Sequence, residues 1–166
     1  MSENPAAPRA VVLTLILREA AGEQEVLLGR KLTGFGKGNV VAPGGKVESG
    51  ESSRQAAARE LAEETSLLVS SEQLEHRATV LFRFPARPAS DMDCEVYLTS
   101  EFRGDARTST ELEVQWFNVK ELPLQKMWQD ADHWLPRIIE GERFTATVVM
   151  AEDNLGVQQV QFSDWS

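Results

Sequence analysis

The sequence contains few cysteines, histidines and basic residues, and it has no long apolar run. Its only cysteine, Cys94, has no partner for an internal disulfide, which is typical of a protein from a reducing compartment. The apolar stretch from Val11 to Leu17 is too short to cross a bilayer, and the N-terminal segment MSENPAAPRA lacks the features of a secretion signal. We therefore expect a soluble, cytoplasmic protein with no membrane partner.

Basic residues are also outnumbered by acidic ones. The 166 residues include 17 Lys and Arg against 26 Asp and Glu, which gives a formal net charge of -9. Because nucleic-acid polymers and anionic membranes bind basic surfaces, neither is expected as a partner. A single nucleotide is still compatible with this charge as a ligand, since metal ions and a few local cations can neutralise its phosphates. The length and the 42% hydrophobic content predict one globular domain over residues 1–166, and they leave a monomer or a homodimer open.

Apolar runs and turn residues predict a chain made mainly of strands. The segment Ala20-Ala21-Gly22-Glu23 separates two β-branched or Leu-rich runs, which is the pattern of a hairpin. A glycine-rich loop over 33–39 leads to a strand that ends in a tight turn at Gly44-Gly45. The predicted strands are 10–17, 25–32, 40–43, 75–84, 94–101, 114–119, 144–151 and 157–162.

Two helices are expected among these strands. Ser52 and Gln55 have the spacing of a capping box, and the alanines that follow favour a helix at about 52–65. A second helix is predicted near 130–140, where Pro136 is expected to kink it or to divide it into two short pieces. This order of elements predicts an α+β or α/β sandwich of a mixed sheet and two helices.

The first helix collects carboxylates on one face. Glu60, Glu63 and Glu64 have the spacing i, i+3, i+4, which places them one turn apart on the same side. Like charges at this spacing repel one another, so the arrangement favours a cation among them, and a divalent metal ion is the simplest candidate. An ordinary solvated acidic face is the alternative interpretation.

The same segment resembles the signature of the Nudix hydrolase family. This signature is Gly, five residues, Glu, seven residues, Arg-Glu, an aliphatic residue, any residue, Glu-Glu, any residue, Gly and an aliphatic residue. Ser66 stands in place of the second glycine, at a position that favours φ > 0, so we expect a modest loss of stability and no lost ligand. The other eight of nine positions match, which disfavours a merely solvated face; they are Gly45, Glu51, Arg59, Glu60, Leu61, Glu63, Glu64 and Leu67.

The resemblance implies an α/β/α Nudix sandwich with a catalytic site for phosphoanhydride hydrolysis. Glu60, Glu63 and Glu64 would hold Mg²⁺, with Mn²⁺ as a substitute, directly or through water, against a pyrophosphate group. Glu51 and Arg59 would form an ion pair that supports these ligands. The implied catalytic residues are therefore Glu51, Arg59, Glu60, Glu63 and Glu64.

Shorter stretches resemble the MutT-homologue subgroup, which hydrolyses oxidised purine nucleoside triphosphates. They are LTGFGKGNVVAPGGKVESGE, DMDCEVYLTSEF, Trp116-Phe117 and KMWQDADHWLP. In that subgroup a glutamate shortly before the Trp-Phe pair approaches the metal. Glu111 falls there, with Glu113 as the fallback and a plain loop carboxylate as the other interpretation. Val41 and Ala131 replace an asparagine and an aspartate of the subgroup, which predicts relaxed or redirected specificity.

The resemblance further implies a nucleotide pocket. Trp128 would stack on a purine, and Asp130 would accept a hydrogen bond from the base or, when protonated, donate one. A place in the core is the alternative for Trp128, and an exposed strand position is the alternative for Lys31. Gly44 and Gly45 would let the backbone approach the phosphates, because neither has a side chain. The implied substrate-binding residues are Lys31, Phe35, Val41, Gly44, Gly45, Lys46, Met92, Trp128 and Asp130.

These features together predict a Mg²⁺-dependent pyrophosphohydrolase. It would convert oxidised purine nucleoside triphosphates to the monophosphate and pyrophosphate. Within the same class, the alternative is a Nudix pyrophosphatase for ADP-ribose, a dinucleoside polyphosphate or an undamaged nucleotide. From another class, the alternative is a catalytically silent Nudix domain that senses a nucleotide, which the intact glutamates disfavour.

Overall fold

The described part of the chain, residues 7–153 and 155–165 of a computed structural model, contains nine strands and two α-helices. Three short 3-10 helices lie at Ser71–Gln73, Pro88–Ser90 and Leu124–Lys126. Within these residues, neither α-helix is long and apolar enough to cross a membrane. The elements are β1 (Arg9–Ala20), β2 (Glu23–Lys31), β3 (Val40–Val41), β4 (Gly44–Lys46), α1 (Ser53–Thr65), β5 (Glu75–Arg83), β6 (Met92–Thr99), β7 (Leu112–Asn118), α2 (Ala131–Ile139), β8 (Phe144–Met150) and β9 (Val157–Asp164).

The strands pair into one mixed sheet. Its main order is β3-β2-β1-β6-β5-β8-β9, with β4 paired to β1 and β7 paired to β2. β1 is parallel to β6 and β5 is parallel to β8, while the other pairs are antiparallel. A mixed sheet with two helices confirms the predicted α+β fold.

The two faces of β1 pack against different helices. Val12 packs with Ala56 and Ala57 of α1, whereas Leu15 belongs to the cluster that contains Leu135 of α2. Because successive strand side chains point to opposite faces, α1 and α2 cover opposite sides of the sheet. The sheet is therefore the middle layer of a helix–sheet–helix sandwich.

Local sequence signals produce the expected hairpin and helix start. Ala20 pairs with Glu23 across a two-residue turn, whose central residues both have positive φ, as a type I′ hairpin requires. At the start of α1, the Ser52 hydroxyl accepts a hydrogen bond from the Gln55 N–H at 3.1 Å. The Gln55 side chain accepts one from the Ser52 N–H at 2.8 Å, which completes the predicted capping box.

One local prediction is wrong, and so is one of the two outcomes expected for Pro136. The Gly44-Gly45 pair lies in a short strand, β4, where a strand end and a tight turn were expected, because Gly44 pairs with Leu13 of β1. A Cβ on Gly44 would lie 2.0 Å from the carbonyl oxygen of Val12, so this close pairing requires a glycine. The second helix continues through Pro136 as one element, so the expected division into two pieces does not occur. Burial of Trp134, Leu135 and Ile138 stabilises α2 although the proline has no N–H.

Candidate active site

The carboxylates of α1 differ in their exposure to solvent. Glu63 is exposed, Glu60 is half-buried, and Glu64 is only 8% exposed. The Gly44 N–H donates a hydrogen bond to Oε1 of Glu64 at 2.9 Å, which connects α1 to β4. Burial, followed by the charges of Glu60 and Glu111, raises the pKa of Glu64 to about 7, although the Gly44 N–H opposes the shift. Glu64 is thus a buried acid beside the start of β4.

Glu60 fills the space that Gly45 leaves open. A Cβ on Gly45 would lie 2.5 Å from the carboxylate carbon of Glu60, so any larger residue would displace this carboxylate. Burial raises the pKa of Glu60, and the hydrogen bond from Arg59 opposes that increase. The signature glycine therefore makes room for a signature glutamate.

Arg59 joins several acidic side chains through one guanidinium group. It forms a two-point ion pair with Glu51, with distances of 2.6 Å from Nη2 to Oε1 and 3.0 Å from Nε to Oε2. Its Nη1 lies 2.9 Å from Glu60 and 3.3 Å from Glu63, and Nη2 donates to the Lys46 carbonyl oxygen at 3.0 Å. The Arg59 guanidinium also lowers the pKa of Glu51. The loop after β4 is thereby held against α1.

Carboxylate oxygens are the ligands that Mg²⁺ prefers, and this cluster supplies them. The charge of Glu111, an exposed residue just before β7, contributes to the raised pKa values of Glu60 and Glu64. Glu113 instead forms an ion pair with Arg30 at 3.4 Å. Within residues 7–153 and 155–165, no group of three or more Asp, Glu, His or Cys side chains is already arranged as a metal site. The carboxylates of this cluster supply oxygen donors for a cation. They also repel one another, and a bound divalent ion would offset that repulsion.

A cavity of about 360 Å³ opens beside Glu64 on the α2 side of the sheet. Residues of the neighbouring strands β1 and β6 form its floor, and the segment before α2 forms one wall. The nine residues predicted to bind substrate all line this cavity, although they come from six separate parts of the chain. They are Lys31, Phe35, Val41, Gly44, Gly45, Lys46, Met92, Trp128 and Asp130.

Two aromatic rings cover part of the cavity. Phe35 of the glycine-rich loop stacks on Trp128, with ring centroids 5.3 Å apart and an interplanar angle of 25°. Phe35 is 65% exposed and Trp128 is half-buried, so Trp128 lies at the cavity and outside the buried core. A Cβ on Gly36 would lie 2.7 Å from the Trp128 ring, which shows how closely the glycine-rich loop approaches it.

The deep end of the cavity is mostly apolar. Asp130 is 3% exposed, and its Oδ2 accepts a hydrogen bond from the indole N–H of Trp134 at 2.7 Å. Burial raises the pKa of Asp130, and the bond from Trp134 opposes the shift. Val41 and Ala131, the two departures from the subgroup pattern, both line the cavity and bring no hydrogen-bonding side chain to it. The thiol of Cys94 is also buried there, which raises its pKa.

Several cavity residues are absent from the set that the sequence predicted. Alternation along β1 and β5 identifies which side chains share a face, but it does not indicate which end of a strand borders a cavity. That information depends on pairing with distant strands and on the position of α2. The residues missed in this way include Arg9, Leu13, Phe82, Phe84, Cys94, Met127, Trp134 and Met150.

Comparison with known proteins agrees with the signature in α1. The family described as NUDIX domain matches residues 7–138. The chain therefore belongs to the Nudix hydrolase family, whose members act on small nucleotide substrates and generally need a divalent metal ion.

Curated relatives resemble most of the chain. It is 37% identical over 133 residues to the oxidized purine nucleoside triphosphate hydrolase of Danio rerio, covering 80% of this chain and 82% of the relative. It is 34% identical over 136 residues to the protein of that name in Mus musculus, covering 82% and 83%. The crystal structure of the MutT mutator protein from Bacillus halodurans shares the fold, with a TM-score of 0.76 at 22% identity over 93% of this chain and 97% of that one.

Proposed function

We propose that this protein is a Mg²⁺-dependent pyrophosphohydrolase that converts oxidised purine nucleoside triphosphates to the monophosphate and pyrophosphate. One observation carries the proposal: the carboxylate cluster of α1 adjoins a mostly apolar cavity that Trp128 lines and that contains the buried carboxyl group of Asp130. The names of the relatives in Danio rerio and Mus musculus support the same substrate class.

The acidic residues of this chain would hold the metal and the substrate phosphates. Glu60, Glu63, Glu64 and Glu111 would supply carboxylate oxygens for Mg²⁺, or for Mn²⁺ as a substitute. When bound, the ion neutralises phosphate charge and acidifies the attacking water. The Gly44 N–H uses one lone pair of Glu64 Oε1, so Oε2 and the second lone pair of Oε1 would be free to bind the ion or to accept a proton.

Other residues would position this acidic cluster and the phosphates. Arg59 connects Glu51 to Glu60 and binds the Lys46 carbonyl oxygen, so it would fix the acidic cluster relative to β4. The side chains of Lys31 and Lys46 line the cavity and would contact the phosphates. The charge of Lys31 already favours ionised Glu64, in opposition to burial.

The cavity would hold the base. Trp128 and Phe35 offer aromatic faces on which a purine can stack, and Met92 contributes to the apolar wall. Asp130 would accept a hydrogen bond from the base, or would donate one when it is protonated. Burial is the main cause of the raised pKa of Asp130, and a raised pKa favours the protonated form that can donate.

A second candidate function is hydrolysis of an undamaged nucleotide, ADP-ribose or a dinucleoside polyphosphate. Val41 and Ala131 favour it, because both line the cavity with apolar groups, and a site with fewer polar contacts discriminates less between bases. This candidate uses the same glutamates and differs only in the occupant of the cavity.

A substrate panel with Mg²⁺ tests the proposal. We expect kcat/KM for 8-oxo-dGTP or 2-hydroxy-dATP to exceed that for dGTP and ADP-ribose by about tenfold or more, as a hydrogen-bonding pocket allows. Glu64→Gln, assayed in parallel, measures any contaminating hydrolase. Equal values across the panel would favour the second candidate function.

We further propose that the protein acts on free nucleotides in the cytoplasm. Its net charge of -9 disfavours contact with nucleic-acid polymers and anionic membranes, and its single thiol, on Cys94, is free and buried. Light scattering after size-exclusion chromatography will distinguish a monomer from a homodimer. Binding to duplex DNA at physiological salt would contradict the proposed choice of partner.

A further inference from the structure

Arg9 lines the cavity but belongs neither to the carboxylate cluster nor to the predicted nucleotide pocket. It begins β1, where it is in register with Met92 of β6, and its N–H donates to the Asp91 carbonyl oxygen at 3.0 Å. Its side chain is exposed, and it forms no ion pair with any acidic side chain of the described residues. A guanidinium group is thus available at the cavity in an acid-rich protein.

The strand β1 defines two ends of this cavity. At one end, Leu13 pairs with Gly44, whose N–H binds Glu64. Arg9 lies four residues earlier in β1 and on the same face, because alternate strand residues share a face. At about 3.3 Å per residue, roughly 13 Å of strand separate these two ends. A nucleotide whose phosphates lie at the Glu64 end would therefore extend its base toward Arg9.

The side chains around Arg9 offer few polar groups to a base. A guanidinium group donates hydrogen bonds from a planar fork and cannot accept them, so it pairs with carbonyl oxygens and not with amino groups. Arginine donates to O6 and N7 of guanine. In 8-oxoguanine N7 carries a proton, so O6 is the acceptor that remains for an arginine on that edge of the base. The neighbouring residues that line this end of the cavity are apolar; they include Phe82, Phe84, Met92 and Met150.

We infer that Arg9 is a specificity-determining residue that donates hydrogen bonds to the 6-carbonyl group of the bound purine. It gives the enzyme a preference for 6-oxopurine over 6-aminopurine nucleotides, which the apolar residues Val41 and Ala131 cannot provide. This inference rests on the proposed function, since it assumes that the cavity holds a purine base.

The test compares two oxidised substrates that differ at the 6-position, 8-oxo-dGTP and 8-oxo-dATP. Arg9→Met removes the donors and keeps much of the aliphatic length, while Arg9→Lys keeps the charge without the planar fork. Arg87→Met is the matched control, because Arg87 is exposed and lies outside the residues that line the cavity. We measure kcat and KM with Mg²⁺, and nucleotide binding by calorimetry.

We expect Arg9→Met to raise KM for 8-oxo-dGTP about tenfold or more, with little change in kcat and little effect on 8-oxo-dATP. Arg9→Lys should restore only part of the preference, and Arg87→Met should behave as the unmodified protein. An equal increase for both substrates, or no change for either, would overturn the inference.

Failure of the proposed function gives a different result. In that case the unmodified protein hydrolyses neither nucleotide, and calorimetry then tests Arg9 separately from turnover. Weaker binding of 8-oxo-dGTP alone to Arg9→Met still supports the role of Arg9. Absence of binding of both nucleotides to the unmodified protein overturns the inference together with the proposed function.

Discussion

The indole N–H of Trp134 donates a hydrogen bond to Oδ2 of Asp130 at 2.7 Å, and both side chains are almost fully buried beside the cavity. Trp134 also packs in the main hydrophobic core, so the position of the Asp130 carboxyl group depends on how α2 packs against the sheet. The hydrogen bond favours the charged carboxylate, while burial raises its pKa. A core residue therefore controls both the orientation and the protonation of a candidate base-binding group.

Trp134→Phe is predicted to weaken substrate binding through Asp130. The substitution removes the donor and leaves a buried carboxylate oxygen without it, which costs about 1–3 kcal/mol of unfolding free energy. It should also raise the pKa of Asp130 further and increase KM, with little effect on kcat. Urea unfolding and steady-state kinetics measure both effects. An unchanged KM in a destabilised but folded variant would contradict a role for Asp130 in substrate binding.

Because Gly36 lies close to the Trp128 ring, a substitution at Gly36 tests whether this ring contacts the substrate, with Gly38 as the matched control. Gly36 and Gly38 both have positive φ, but only a Cβ on Gly36 would contact the Trp128 ring, since Gly38 faces open space. Alanine at either position should cost about 1–2 kcal/mol of stability from backbone strain. We predict that only Gly36→Ala displaces Trp128 and raises KM. Equal KM values for the two variants would show that the ring does not contact substrate.

Local signals predicted α1 well, because its capping box, carboxylate spacing and C-terminal end depend on residues close in sequence. The Gly44-Gly45 strand was missed, since it exists only through pairing with β1. Arg9 and Trp134 were missed for a related reason. Arg9 reaches the cavity through the register of β1 with β6, and Trp134 through the packing of α2, and neither relationship has a local sequence pattern. The family resemblance supplied the other pocket residues, which periodicity alone could not assemble.

The buried carboxyl group of Glu64 predicts a pH-dependent stability of the metal-free protein. Burial raises its pKa from the ordinary value of 4.5 to about 7, so its contribution to stability is fully present below about pH 4.5 and is lost as the pH rises to 7. Glu64→Gln cannot ionise and still offers an oxygen to the Gly44 N–H. It should become more stable than the unmodified protein as the pH rises, by up to about 3 kcal/mol above pH 7.

Thermal unfolding in EDTA between pH 4.5 and 8 measures this difference. Excess Mg²⁺ serves as the control, because it should stabilise the unmodified protein more than Glu64→Gln above pH 7. A constant difference across the pH range would contradict the raised pKa of Glu64.

Ser66→Gly is predicted to stabilise the protein without altering catalysis. Ser66 ends α1 in the left-handed conformation, with φ of 68° and its N–H bonded to the Ala62 carbonyl oxygen. A glycine avoids the cost of that conformation, so the free energy of unfolding should increase by about 1 kcal/mol. Ser66→Ala is the control, since it keeps the Cβ and should bring no gain. Urea titration measures both variants, and a lower stability for Ser66→Gly would contradict this explanation.

The metal-dependent pyrophosphohydrolase activity itself is tested by measuring hydrolysis of 8-oxo-dGTP. The unmodified protein and Glu63→Gln are compared, with product analysis in the presence and absence of Mg²⁺. We expect metal-dependent release of 8-oxo-dGMP and pyrophosphate by the unmodified protein. Glu63→Gln should unfold at the same temperature but lose turnover by a factor of about 100 or more. Metal-independent turnover, different products, or full activity in Glu63→Gln would contradict the proposed activity.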